Sequence, residues 1–190
     1  MINAIVNRRR FLSATGAATL SAAAVGLLAG RPEIARAQTA GMADVNILNV
    51  ALGLEHEAIA AYELGAKSGL LQKPVLDVAV LFQSHHKGHR DALVATIQKM
   101  GGKPVETKSL DDYAKALDAA SLKNQTDVLM LAAKLELGAT NAYLGVIPSF
   151  KEAKLGQVAA RLAADETMHW TALSSALGKT LPAGALTFGA

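Results

Sequence analysis

Two stretches of this sequence occur twice, and the duplication leaves few ways to fold. LEHEAIAAY (Leu54–Tyr62) returns 81 residues later as LELGATNAY (Leu135–Tyr143), with Leu54/Leu135, Glu55/Glu136, Ala58/Ala139, Ala61/Ala142 and Tyr62/Tyr143 coinciding. HKGHRDAL (His86–Leu93) returns 80 residues later as ETMHWTAL (Glu166–Leu173), with His89/His169, Ala92/Ala172 and Leu93/Leu173 coinciding. Alanine matches weigh little in an Ala-rich chain, so the Glu, Tyr and His matches carry the repeat. Two units of one design, each too small to bury its own apolar face, are expected to pack about a pseudo-twofold axis.

The units read as helical hairpins. Apolar residues make up 51% of the chain and aromatics only 4%, with five prolines. The apolar set is mostly Ala and Leu, both strong helix formers. Four long segments with helical apolar periodicity follow: about Ala43–Ala66, from after Pro74 to about Met100, from Asn124 or Gln125 to before Pro148, and about Lys151–Leu177. Gly101-Gly102 with Pro104, and Gly178, supply stops. The first two segments are joined closely around Ser68–Pro74, and the last two at Pro148-Ser149. Segments two and three are separated by a long connection, Gly101–Lys123, in which Ser109 could cap a short helix to about Ala119. The expectation is an all-α, antiparallel four-helix bundle with one long central crossover, a layout that ferritin-like folds use.

The first 37 residues read differently. Asn7-Arg8-Arg9-Arg10-Phe11-Leu12 has the form of a twin-arginine export signal. A weakly apolar Ala- and Gly-rich stretch follows, and Ala35-Arg36-Ala37 is a small-x-small cleavage site, which would start the mature chain at Gln38. An uncleaved membrane anchor is the alternative, but the stretch is short and Ala-rich for a spanning helix. The expected organisation is a signal over 1–37, a bundle over 38–190, and an extracytoplasmic, periplasmic location reached through the twin-arginine translocase. The whole chain has 19 basic and 16 acidic groups. Five arginines and one acid lie in 1–37, leaving 14 basic and 15 acidic groups in the remainder. The basic excess therefore belongs to the leader, and no cationic surface for nucleic acid is implied. With no cysteine, thiolate metal sites are excluded.

Glu and His are costly to bury unless paired or ligated, yet Glu55, Glu136, Glu166 and His169 stand inside apolar periodic runs. Glu166 and His169 are three apart and share a helix face, as do His86 and His89. A hydrogen-bonded core pair is the plain reading of Glu166 and His169 alone. The repeat extends it: segments one and three each offer one Glu, and segments two and four each offer an i, i+3 pair. His85 and His89, four apart, are the alternative facing pair on segment two; the repeat favours His86 by aligning it with Glu166. Glu57 and Glu63 are expected to be solvated and His56 peripheral. Gly88, costly in a helix interior by about 1 kcal/mol, suggests a close helix approach.

This arrangement resembles the dimetal-carboxylate site of the ferritin-like superfamily, in which two helices give one Glu each and two give Glu-x-x-His. LELGATNAY is similar to the first-helix motif of bacterioferritins and rubrerythrins, where a ligand Glu is followed seven residues later by Tyr. The resemblance covers the whole chain after residue 37 and implies Glu55, His89, Glu136, Glu166 and His169 as metal ligands, to which the repeat adds His86. It makes Tyr62 and Tyr143 hydrogen-bond donors that orient carboxylates. It implies iron or manganese, one or two ions, with zinc or copper also compatible. One position departs from the pattern: His86 stands where the family has Glu, so three carboxylates rather than four would face two divalent cations.

Three functions fit. A redox enzyme would use the metal with oxygen or peroxide, as an oxidase, ferroxidase or peroxide-handling protein. A non-catalytic metal-binding or stress-protective bundle is the second, and the third is a structural bundle whose Glu and His groups satisfy one another. A homo-oligomer is compatible with all three; nothing in the sequence argues for a large storage shell.

Overall fold

The computed structural model describes residues 39–186, so the leader read over 1–37 lies outside the described residues. The described residues form α1 (Thr39–Lys67), α2 (Lys73–Lys99), a short α3 (Leu110–Ala116), α4 (Gln125–Val146) and α5 (Ala153–Ala176), with single 3-10 turns at Ala119–Ser121 and Ile147–Ser149. No strand occurs among them. α1 packs along α2 and α4 along α5, as two antiparallel hairpins, and α1 also packs against α4. No helix among the described residues is long and apolar enough to cross a membrane.

Local chemistry sets the boundaries. Pro74 at the start of α2 needs no hydrogen-bonded N–H there. α2 ends where Gly101 takes φ +77°, and the Gly101 and Gly102 amides return to the Gln98 and Ile97 carbonyls. Asn124 caps α4 by accepting from the Asp127 amide at 3.0 Å, and Asp127 accepts from the Lys123 amide at 2.8 Å. Ser109 caps α3 as expected, at 3.1 Å from the Asp112 amide. The crossover helix stops at Ala116 rather than Ala119 because Asp118 turns left-handed, at φ 50°.

Two apolar clusters fill the bundle. One gathers Leu48, Leu52, Leu93, Ile97, Tyr143, Leu155 and Leu162; the other gathers Tyr62, Ala79, Phe82, Leu129, Ala133 and Leu173. Each long helix contributes to both and, apart from the buried Asp44 nearer the start of α1, places its buried acidic or imidazole residues in between: Glu55 on α1, His86 and His89 on α2, Glu136 on α4, Glu166 and His169 on α5. The polar residues therefore share one waist, closed above and below by apolar plugs. Each fully buried Leu or Ile contributes about 1.5–3 kcal/mol, so the plugs can hold the bundle while the waist carries polar groups.

Three further expectations change. α5 begins at Ala153 rather than Lys151. The reason is Asp44, buried on α1, which accepts from the backbone amides of Lys151 at 3.0 Å and Glu152 at 3.1 Å and so ties the entry of α5 to the start of α1. Gly88 marks no close approach: a side chain there would meet open space. Glu57 is half-buried, and burial raises its pKa against the opposing charge of Lys108. Removing the Asp44 carboxylate by Asp44→Ala should cost about 1.5–3 kcal/mol, the range for hydrogen bonds to a charged group. A urea midpoint shifted down at constant slope checks this; an unmoved midpoint would show that the tie contributes nothing.

Candidate metal centre

The waist brings all six of the sequence-predicted residues together. Glu55, His86, Glu136, Glu166 and His169 are each no more than 2% exposed, and His89 is 9% exposed. They form two overlapping groups, Glu55/His86/His89/Glu166 and His86/Glu136/Glu166/His169, each with ligand-type atoms within 4.8 Å of one another. His86 and Glu166, aligned by the repeat, belong to both. Each group adds one Glu and one His of its own: Glu55 with His89, and Glu136 with His169.

His86 occupies the centre. Its Nδ1 lies 2.8 Å from Glu55 Oε2 and its Nε2 lies 3.2 Å from Glu136 Oε1. His89 Nδ1 stands 3.2 Å from Glu166 Oε1 and 3.6 Å from Glu55 Oε2. His169 Nδ1 stands 3.1 Å from Glu166 Oε2 and 3.5 Å from Glu136 Oε2. The tyrosines act crosswise: Tyr62 donates its hydroxyl to Glu136, and Tyr143 donates to Glu55. Each therefore holds the Glu of the other hairpin rather than the one seven residues before it, and the two repeats are locked together at the site. Burial and the neighbouring carboxylates raise both phenol pKa values well above 10, keeping the hydroxyls as donors.

Without a metal the charges compensate one another. Burial pushes the His86 pKa down, but the bonded Glu136 and Glu55 carboxylates outweigh it and raise it to about 10. His89 follows the same balance with Glu166 and Glu55 and also rises to about 10. His169 is raised by Glu136 and Glu166 against burial. Burial opposes ionisation of Glu55 and Glu136, yet the imidazoles win and lower both. Burial prevails at Glu166, which is raised.

Mutual pairing does not satisfy every group. His89 Nδ1, Glu136 Oε2 and Glu166 Oε1 are buried at the waist and make no hydrogen bond. An unmet buried group costs about 1–3 kcal/mol, and two of these atoms, His89 Nδ1 and Glu166 Oε1, face each other at 3.2 Å within the first group. Carboxylate oxygens and imidazole nitrogens suit first-row transition ions, so the residues present fit a cation that takes up these lone pairs.

Sequence reasoning does not foresee the two residues behind the imidazoles: it does not name Asp165, and it weighs His85 only as an alternative to His86. His89 Nε2 lies 3.1 Å from Asp165 Oδ2, and His169 Nε2 lies 2.9 Å from His85 Nδ1. His85 also stacks on His169, as does Phe82 at 4.1 Å between centroids. His85 is exposed and His86 buried, which resolves which histidine of α2 enters the core. The signal was in the repeat, since His85 and Asp165 are themselves 80 residues apart. His56 is peripheral, 3.2 Å from the Val105 carbonyl on the crossover, and Glu63 is held by Lys67 at the surface.

Comparison with known proteins agrees with this architecture. The structure of a conserved hypothetical protein, rv2844, from Mycobacterium tuberculosis has a TM-score of 0.62 over 77% of this chain and 98% of its own, at 20% identity, which speaks for the fold alone. No curated protein matches the chain. A family model described as a ferritin-like domain matches residues 43–179, from the first turns of α1 to the residue after Gly178. With all four long helices inside that match and the Glu and His residues gathered at their waist, this chain belongs to the ferritin-like domain family.

Proposed function

We propose that this protein is an exported, ferritin-like metal protein whose bundle holds iron or manganese at the Glu and His waist and handles oxygen or peroxide there, as an oxidase, ferroxidase or peroxide-reacting protein. The observation that carries the reading is the gathering of six buried Glu and His residues from four helices into two overlapping groups, Glu55/His86/His89/Glu166 and His86/Glu136/Glu166/His169, each with ligand-type atoms within 4.8 Å of one another. A bound ion would supply the redox chemistry. The chain's own part is to hold the ligand carboxylates, through Tyr62 and Tyr143, and to keep bulk water out with the apolar clusters on either side. His86, in place of a carboxylate, favours a second reading in which the same centre binds metal without turnover, as a stress-protective protein.

Elemental analysis of protein purified from its native export host tests the metal-centre reading. Iron or manganese in stoichiometric amount supports it, and Glu166→Ala should abolish that metal. A metal-free protein that takes up none on reconstitution would leave only a structural bundle. Turnover of peroxide or oxygen-dependent oxidation of Fe(II) by the loaded protein then separates the redox reading from the non-catalytic one.

The leader supports a periplasmic location, with the chain after Ala37 as the working domain. Replacing Arg8 and Arg9 with Lys should hold the precursor in the cytoplasm, read by fractionation. Unchanged export, or a mature N-terminus far from Gln38, would contradict that part of the reading.

A further inference from the structure

The two halves of the waist are related by the repeat but are not equivalent. On one side His89 rests against a carboxylate, Asp165, at 3.1 Å; on the other His169 rests against an imidazole, His85, at 2.9 Å. The exchange is reciprocal, since Asp165 on α5 braces the histidine of α2 and His85 on α2 braces the histidine of α5. For either histidine to offer its Nδ1 lone pair to a cation, its Nε2 must carry the proton and donate it outward. A carboxylate accepts that proton strongly and makes the ring a better ligand; a neutral imidazole does so less.

His86 adds a second inequality. A neutral imidazole has one lone pair, so His86 can serve one ion and not bridge two as a carboxylate does. If its Nδ1 ligates, its Nε2–H donates to Glu136 Oε1, 3.2 Å away, and ties up that oxygen of the second group. The atoms of the first group are already spaced for one ion. Glu55 Oε2 to His86 Nδ1 is 2.8 Å, His86 Nδ1 to Glu166 Oε1 3.7 Å, Glu166 Oε1 to His89 Nδ1 3.2 Å, and His89 Nδ1 to Glu55 Oε2 3.6 Å. Four ligands about 2.1 Å from a tetrahedral metal are separated from each other by about 3.4 Å. Two of the three waist atoms that make no hydrogen bond, His89 Nδ1 and Glu166 Oε1, belong to this group. Two carboxylates and two neutral imidazoles balance a divalent charge.

We propose that the centre holds one divalent transition-metal ion, ligated by Glu55, His86, His89 and Glu166 with Asp165 bracing His89, and that the repeat-related half around Glu136 and His169 carries no tightly bound ion. This rests on the metal-centre reading above and fixes the number and place of the ion. It also explains the unlike residues at positions 85 and 165, which a site with two equal ions would not need.

The test is a competition titration of the chelator-stripped protein with Zn(II) and Co(II), repeated for Asp165→Asn and His85→Ala. Neither residue lies in the core, so both variants should fold. One equivalent should bind tightly, with the strong visible absorption of four-coordinate Co(II). Asp165→Asn should weaken it by about 10–100-fold, and His85→Ala by much less. Two equivalents of like affinity, or a larger loss from His85→Ala than from Asp165→Asn, would overturn the proposal while leaving a metal centre standing. No binding at all would overturn the metal centre itself and this proposal with it.

Discussion

Replacing His86 with glutamate is expected to raise the number of tightly bound Fe(II) ions from one to two. His86 is shared by both ligand groups, and its single lone pair can serve only one ion. A carboxylate there could bridge two ions, bringing the count to the four negative charges that two divalent cations require. It would also free Glu136 Oε1 from the His86 ring 3.2 Å away. The second ion should tighten by more than about 100-fold, the upper scale seen when only the groups bracing a ligand are altered. The metal-free variant should suffer, because a buried imidazolium between Glu55 and Glu136 is exchanged for a fourth acid at the waist. Breaking such a buried pair costs about 3–5 kcal/mol. Stability that becomes dependent on Fe(II), read as a melting temperature that falls without metal and recovers with it, is the accompanying signature. A variant that binds one ion, as the parent does, would show that His86 does not set the count.

Metal affinity should rise steeply with pH between about 6.5 and 10. His86 and His89 are raised from 6.5 to about 10 in the metal-free protein, so over that window an entering ion must displace protons that the folded state holds. Each displaced proton makes affinity rise about tenfold per pH unit. The sign for the metal-free protein is the reverse. Groups raised on folding contribute stability that is complete below their unfolded value of 6.5 and is lost as pH climbs through about 10. Glu55 and Glu136, lowered from 4.5, contribute stability present above that value and lost as pH falls through their folded pKa values. The metal-free protein should therefore be most stable between about 4.5 and 6.5, and the gap in melting temperature between loaded and metal-free protein should widen as pH rises above that range. A gap independent of pH from 6 to 9 would mean that the imidazoles are not protonated without metal.

The bundle was legible in the sequence because helical periodicity, glycine stops and a long repeat all point the same way. Polar residues at matching positions of a repeat must lie at matching depths, which is why Glu55, Glu136, Glu166 and His169 could be placed at one waist before any coordinates. Position 86 was left to the repeat to decide, since His85 and His86 are both within reach of the core by helical angle alone. Contacts between repeats were not legible. The spacing of Glu55 to Tyr62 shows that both face one way, but not that each tyrosine reaches across to the other hairpin's glutamate. Asp44 gave no signal either, because its partners are backbone amides 107 and 108 residues away, and any residue but proline could supply those. Gly88 misled because a glycine's cost in a helix says nothing about what occupies the space beside it.

The position of the ion at the waist can be seen directly by anomalous scattering. Crystals of the protein grown with Mn(II) or Zn(II), with diffraction recorded on either side of the metal's absorption edge, would show that position without reference to activity. The expected result is one strong anomalous peak per chain at the waist, touching Glu55, His86, His89 and Glu166, with Asp165 behind His89. A waist without a peak at saturating metal, with ions only on surface carboxylates, would contradict it.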